Sequence, residues 1–93
     1  MGTKLTDEQV RDRLGEVSGW ELSDGALRRS FSFGNFVEAF GFMARVALIA
    51  EKLDHHPDWS NSWNKVDIAI TSHSDGGVTD TCFTFAAQVD KIE

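Results

Sequence analysis

The chain has 93 residues, 41% of them hydrophobic, which predicts a single domain over 1–93 with one core and excludes a disordered chain. Nine basic residues against 15 acidic give a net charge of −6, and the scattered basic residues exclude direct binding to a nucleic-acid backbone. The lone cysteine, Cys82, excludes an internal disulfide and a zinc-thiolate cage, and no apolar run approaches the ~20 residues of a membrane span.

The N-terminal segment is polar and lacks an apolar signal core, which with one free cysteine predicts a cytoplasmic setting. Met1-Gly2 begins like a myristoylation signal, but Thr6, at the position that signal requires, reads as a helix cap. Thr6 and Gln9 form a capping-box pattern, Asp7 and Glu8 suit the positive end of the helix, and Gly15 is the expected stop. Trp20 to Phe33 predicts a hairpin about Asp24-Gly25, a pair suited to the positive φ angles of a type I′ turn. That register faces Leu22 with Leu27, and Phe31 and Phe33 continue the Leu27 face. Arg28, Ser30 and Ser32 lie on the other.

Asn35 to about Leu53 predicts the long helix, capped by Asn35 with Glu38 completing the box. Phe36, Phe40, Met43 and Ala47, with Val37, Ala44 and Leu48, recur at helical spacing. A stripe this broad suits a helix touching the sheet on one side and a partner helix on the other. Pro57 ends the helical segment. Trp59 to about Thr71 predicts a second hairpin, with Asn64-Lys65 as its turn and Trp59, Asn61, Trp63, Val66, Ile68 and Ile70 on one face. Gly76-Gly77 breaks the chain. Thr79 and Asp80 open a last helix with Phe83, Ala86, Ala87 and Val89 buried. The order α-ββ-α-ββ-α predicts an α+β fold, a four-stranded antiparallel sheet with helices packed on one face. Strand order stays open.

All three histidines fall at element ends: His55 and His56 after the long helix, His73 after the fourth strand. His-His-Pro also serves as a plain helix stop, and a lone loop histidine is commonly just polar. The combination Asp54-His55-His56-Pro57-Asp58-Trp59 with Thr71-Ser72-His73 says more, gathering acid–base groups, hydroxyls and an aromatic wall at one corner. Histidine titrates near neutrality, so several in one pocket supply both an acid for a departing hydroxyl and a base for a neighbouring proton. Pro57 stiffens the loop, and Trp59 offers a flat surface to a planar ring or simply packs. Metal ligation by His55, His56 and Asp54 or Asp58 is the rival reading; adjacent histidines diverge, and no HExxH or Cys/His spacing is present. No GxSxG elbow or glycine-rich phosphate loop occurs. Cys82 in the first turn of the last helix reads as buried apolar packing or as a stabilised thiolate.

Phe40 to His73, FGFMARVALIAEKLDHHPDWSNSWNKVDIAITSH, resembles the pterin-4a-carbinolamine dehydratases, with EKLDHHPDW, NKV and TSH carrying the likeness and the flanking elements extending it over nearly the whole chain. The resemblance implies dehydration of 4a-hydroxytetrahydrobiopterin to quinonoid dihydropterin, in tetrahydrobiopterin recycling, with no metal or organic cofactor. It implies His55, His56 and His73 as catalytic residues. Substrate contacts are implied from Asp54, His55, His56, Pro57, Trp59, Thr71, Ser72, His73 and Ser74. It implies a homodimer or homotetramer and, for some members, a homeodomain transcription factor as partner, which would add a nuclear location and an interaction role for the long helix. One departure stands out. The family usually carries Asp three residues after the cap of the last helix, where this chain has Cys82, so that capping box is expected to be lost and activity reduced.

Overall fold

The computed structural model describes residues 3–92, so the Met1-Gly2 signal lies outside the described residues. Eight elements follow in order: α1 (Asp7–Arg13), a 3-10 turn (Leu14–Val17), β1 (Glu21–Ser23), β2 (Ala26–Ser32), α2 (Phe36–Leu53), β3 (Asp58–Ser62), β4 (Lys65–Ile70) and α3 (Asp80–Ile92). The architecture is α+β, with one four-stranded antiparallel sheet of order β1-β2-β4-β3. The two hairpins join through β2 and β4, a pairing that local sequence does not encode.

Alternation along the strands divides the sheet into two faces. Leu27, Phe31, Val66, Ile68 and Ile70 face the helices and are buried. Arg28, Ser30, Ser32, Lys65 and Asp67 lie on the open face and are exposed or half-buried. Arg29 shares the helix-side face, where it stacks over Phe31 and pairs with Asp90 of α3. The indole N–H of buried Trp20 donates to the same Asp90 carboxylate at 2.8 Å, which ties the end of α3 to the first hairpin.

The Thr6 capping box forms in full, both bonds made with Gln9. Gly15 is not the stop: α1 ends at Arg13 and tightens into the 3-10 turn, which carries Gly15 within it. The first hairpin turns at Asp24-Gly25, with φ of 51° and 75°, and pairs Leu22 with Leu27. Asn35 caps α2, but Glu38 reaches back to the N–H of Gly34 rather than of Asn35, so the box is displaced by one residue.

The phase of α2 departs from the expected stripe. Its buried side is Ala39, Phe42, Val46 and Ala50, whereas Phe36, Val37, Phe40 and Leu48 are exposed. Small residues at Ala39 and Ala50 let the helix lie close to the layer beneath it. The second hairpin turns at Trp63-Asn64, because Ser62 pairs with Lys65. Trp63 therefore leaves the strand face, with φ of 50°, while Trp59, Asn61, Val66, Ile68 and Ile70 keep their common side. In α3, Cys82, Phe83, Phe85, Ala86 and Val89 are buried, which adds Phe85 to the expected side and leaves Ala87 half-buried.

Candidate functional site

The end of α2, the start of β3, the end of β4 and the start of α3 meet at one end of the molecule. Antiparallel pairing sets Asp58 of β3 beside Ala69 of β4. Two long-range side-chain contacts then close the corner, His55 to Cys82 and His73 to Asp58.

The Asp54-His55 step shapes the first part. Asp54 adopts the left-handed conformation, φ 50° and ψ 47°, and its N–H bonds back into the last turn of α2. The N–H of His55 donates to the carbonyl of Ala50 at 3.0 Å, giving the paired bonds of a Schellman stop. The helix thus ends by swinging His55 inward. Its ring is half-buried, and Nε2 lies 3.2 Å from the Cys82 sulfur. Burial pushes the His55 pKa down, helped by neighbouring His56 and opposed by Asp75 and Asp54.

The other histidines take different partners. Exposed His56 turns back along α2, with Nε2 2.6 Å from the Glu51 carboxylate. Exposed His73 sets Nε2 3.1 Å from the Asp58 carboxylate. The three rings share one end of the fold, and each is anchored to a separate element.

Thr71 donates its hydroxyl to the Gly25 carbonyl at 3.0 Å, so it braces the turn of the first hairpin. Ser72 is buried and donates to Asp75 at 2.6 Å, and its carbonyl accepts from Gly76 and Gly77, which folds residues 72–77 into a compact loop. Ser74 is exposed and Pro57 half-buried. Trp59 lies on the helix side of edge strand β3, 37% exposed, and keeps a free surface near the corner. A shallow cavity of about 440 Å³ opens on the other face of the sheet, lined by Arg28, Ser30, Ser60, Asp67 and their neighbours, and it reaches the corner through Asp58 and Trp59. Among the described residues, no three of His, Cys, Asp and Glu are grouped to hold a metal ion.

Cys82 is both packed and placed. It is fully buried, yet it touches His55. Its sulfur also accepts from the Thr79 N–H at 3.5 Å, a weak sulfur substitute for one of the two bonds of the capping box, while the Cys82 N–H goes to the Thr79 carbonyl. Burial pushes the thiol pKa up and outweighs the lowering by the Thr79 hydrogen bonds, which favours the packed-thiol reading over a stabilised thiolate. Sequence reasoning missed Glu51, Asp58 and Asp75 as partners of the candidate residues. Glu51 and Asp58 carried a signal, being acidic residues inside the EKLDHHPDW motif, and Asp75 carried none.

The chain is similar to several known proteins. The family model described as pterin 4 alpha carbinolamine dehydratase matches residues 3–92. A protein of Prochlorococcus marinus, provisionally named as such a dehydratase, is 44% identical over 88 residues, covering 95% of this chain and 92% of its own. One from Chelativorans, named likewise, is 47% identical over 89 residues, with 94% and 91% covered. The crystal structure of a transcriptional coactivator/pterin dehydratase from Brucella melitensis superposes with a TM-score of 0.92 at 43% identity, covering 97% of this chain and 98% of that one. A pterin dehydratase-like RuBisCO assembly factor of the alpha-carboxysome shares the fold alone, with a TM-score of 0.64 at 23% identity over 78% of this chain and 84% of that one.

Proposed function

The chain belongs to the pterin 4 alpha carbinolamine dehydratase family, and from that premise we propose that it removes water from 4a-hydroxytetrahydrobiopterin by histidine acid–base catalysis. The hydroxyl leaves C4a, a ring nitrogen beside it gives up its proton, and the new double bond makes the quinonoid dihydropterin. The proton-transfer groups are His55, His56 and His73. Asp54, Pro57, Trp59, Thr71, Ser72 and Ser74 form the substrate's surroundings. The setting is tetrahydrobiopterin recycling in the cytoplasm.

The observation that carries the proposal is His55 itself. Its ring is half-buried and held neutral by burial, at the end of the molecule that also carries His56 and His73. A neutral imidazole is ready to take a proton at neutral pH, and its ring N–H donates a hydrogen bond. The Asp58 carboxylate, 3.1 Å from Nε2, orients the His73 ring. Trp59, 37% exposed, offers apolar ring surface to the flat pterin.

Dehydration of freshly generated 4a-hydroxytetrahydrobiopterin, followed by ultraviolet absorbance and corrected for the spontaneous reaction, tests this. Acceleration by the wild type that falls on the order of 10²-fold in His55→Ala or His73→Ala is expected, the scale of one general acid or base. A loss under about threefold at both positions would remove the histidine mechanism.

The exposed face of α2 favours a second reading. Phe36, Val37, Phe40 and Leu48 form an apolar surface on a helix whose other side is fully packed. Such a surface suits self-association into a dimer or tetramer, or an interaction module that docks a transcription factor. A wild type that binds pterin without accelerating dehydration would leave this reading in place of the first.

A further inference from the structure

We infer that Cys82 is a positioning residue for His55, its S–H donating to Nε2 and fixing the ring as the tautomer that carries its proton on Nδ1. This rests on the proposed role of His55 in the reaction and assigns which ring nitrogen faces the substrate with a proton.

The geometry comes first. The sulfur and Nε2 are 3.2 Å apart, and both ends of the contact are held. His55 is held by its backbone bond to Ala50, at the stop of α2. Cys82 is fully buried in the first turn of α3, with the Thr79 N–H donating to its sulfur and the Thr79 hydroxyl 3.7 Å away. The ring therefore presents Nε2 to α3. Among the described residues no partner takes Nδ1, which leaves that atom for a ligand.

Chemistry then chooses the donor. Burial keeps the thiol protonated and the imidazole neutral, so one S–H and one bare ring nitrogen are available. A thioether- or thiol-type sulfur is a weak acceptor, whereas a neutral imidazole nitrogen is a good one. The Cys82 sulfur already accepts from Thr79. S–H to Nε2 uses the better acceptor and leaves the proton of the ring on Nδ1. A carboxylate at the same place would do the reverse, because it only accepts: Nε2 would carry the proton and Nδ1 would be bare. The thiol thus leaves His55 a hydrogen-bond donor, its Nδ1–H polarising the departing hydroxyl, and leaves proton donation and the base to other groups. Among the described residues, the other titratable groups felt by the ring are His56, Asp75 and Asp54, and none of them lies on α3.

The test is two-bond proton–nitrogen correlation on ¹⁵N-labelled protein, which reads the tautomer of each histidine directly. Wild type is expected to show His55 with its proton on Nδ1. Cys82→Ser keeps a donor and should keep that tautomer. Cys82→Ala removes the donor and should let both tautomers populate. Cys82→Asp should move the proton to Nε2 and raise the His55 pKa by about one unit or more, the scale of an adjacent opposite charge. Unchanged spectra elsewhere in the same samples show that each variant is folded, and the Ser and Ala variants decide the matter if the Asp variant is not. A wild type protonated on Nε2, or a Cys82→Ala variant with the wild-type tautomer and titration, would overturn the inference. The dehydration assay on the same proteins keeps the two readings apart: correct tautomers with no acceleration by the wild type would sink the proposed reaction and leave the positioning role standing.

Discussion

At the scale of single residues, the candidate site is legible by type and illegible by partner. Three histidines at element ends, one beside a proline, stand out in the sequence. That His55 meets a cysteine 27 positions away, and His73 an aspartate 15 positions back, depends on the packing of α3 and the pairing of β3 with β4. His55 also gives the fold a pH dependence. The unfolded chain takes up this proton near pH 6.5, the ordinary histidine value, while the folded chain resists it. Stability is therefore fully present above that pH and falls as the pH drops towards the lower folded value. Thermal melts at pH 7.5 and 5.5 should show a loss on acidification that shrinks in His55→Gln; an equal loss in both proteins would place the effect elsewhere. His56 and Glu51 form an exposed pair, so Glu51→Gln should change stability by less than about 0.5 kcal/mol in urea titrations.

At the scale of elements, the number and order of helices and strands were readable, because caps and turn residues are local signals. The first hairpin shows this best: Asp24-Gly25 supplies both positive φ angles and hence the register. The second hairpin shows the limit. Its turn puts Trp63 at positive φ, a place ordinarily given to glycine or asparagine, so turn chemistry points to Asn64-Lys65 instead. The two choices differ by two in register and keep the same side chains on the same face, which is why the strand faces survive the error. In α2 the periodicity misleads because apolar residues surround the helix. Bulk suggests Phe36 and Phe40 as core, whereas close packing selects Ala39 and Ala50 with Phe42. Phe42→Ala should cost about 3–5 kcal/mol in a denaturant titration, the range for a buried phenylalanine. Asn35→Ala should cost about 1 kcal/mol through loss of its bond to the Glu38 N–H. A Phe42→Ala cost below that of Asn35→Ala would mean the phase of α2 is wrong.

At the scale of the whole molecule, the helices cover one face of the sheet, while the outward side of α2 stays apolar. A chain of this size buries a limited share of its surface alone, so covering Phe40 and Leu48 by self-association would add stability. Sedimentation velocity should find an oligomer that Phe40→Lys with Leu48→Lys dissociates; a wild type that sediments as a monomer at high concentration would rule this out. The tie between Trp20 and Asp90 has an optical consequence. The chain has no tyrosine and three tryptophans, and Trp63 already stands in water. Trp20, dry and bonded to α3, therefore supplies most of the change in emitted colour when the protein opens, and its light reports whether α3 is still docked on the first hairpin.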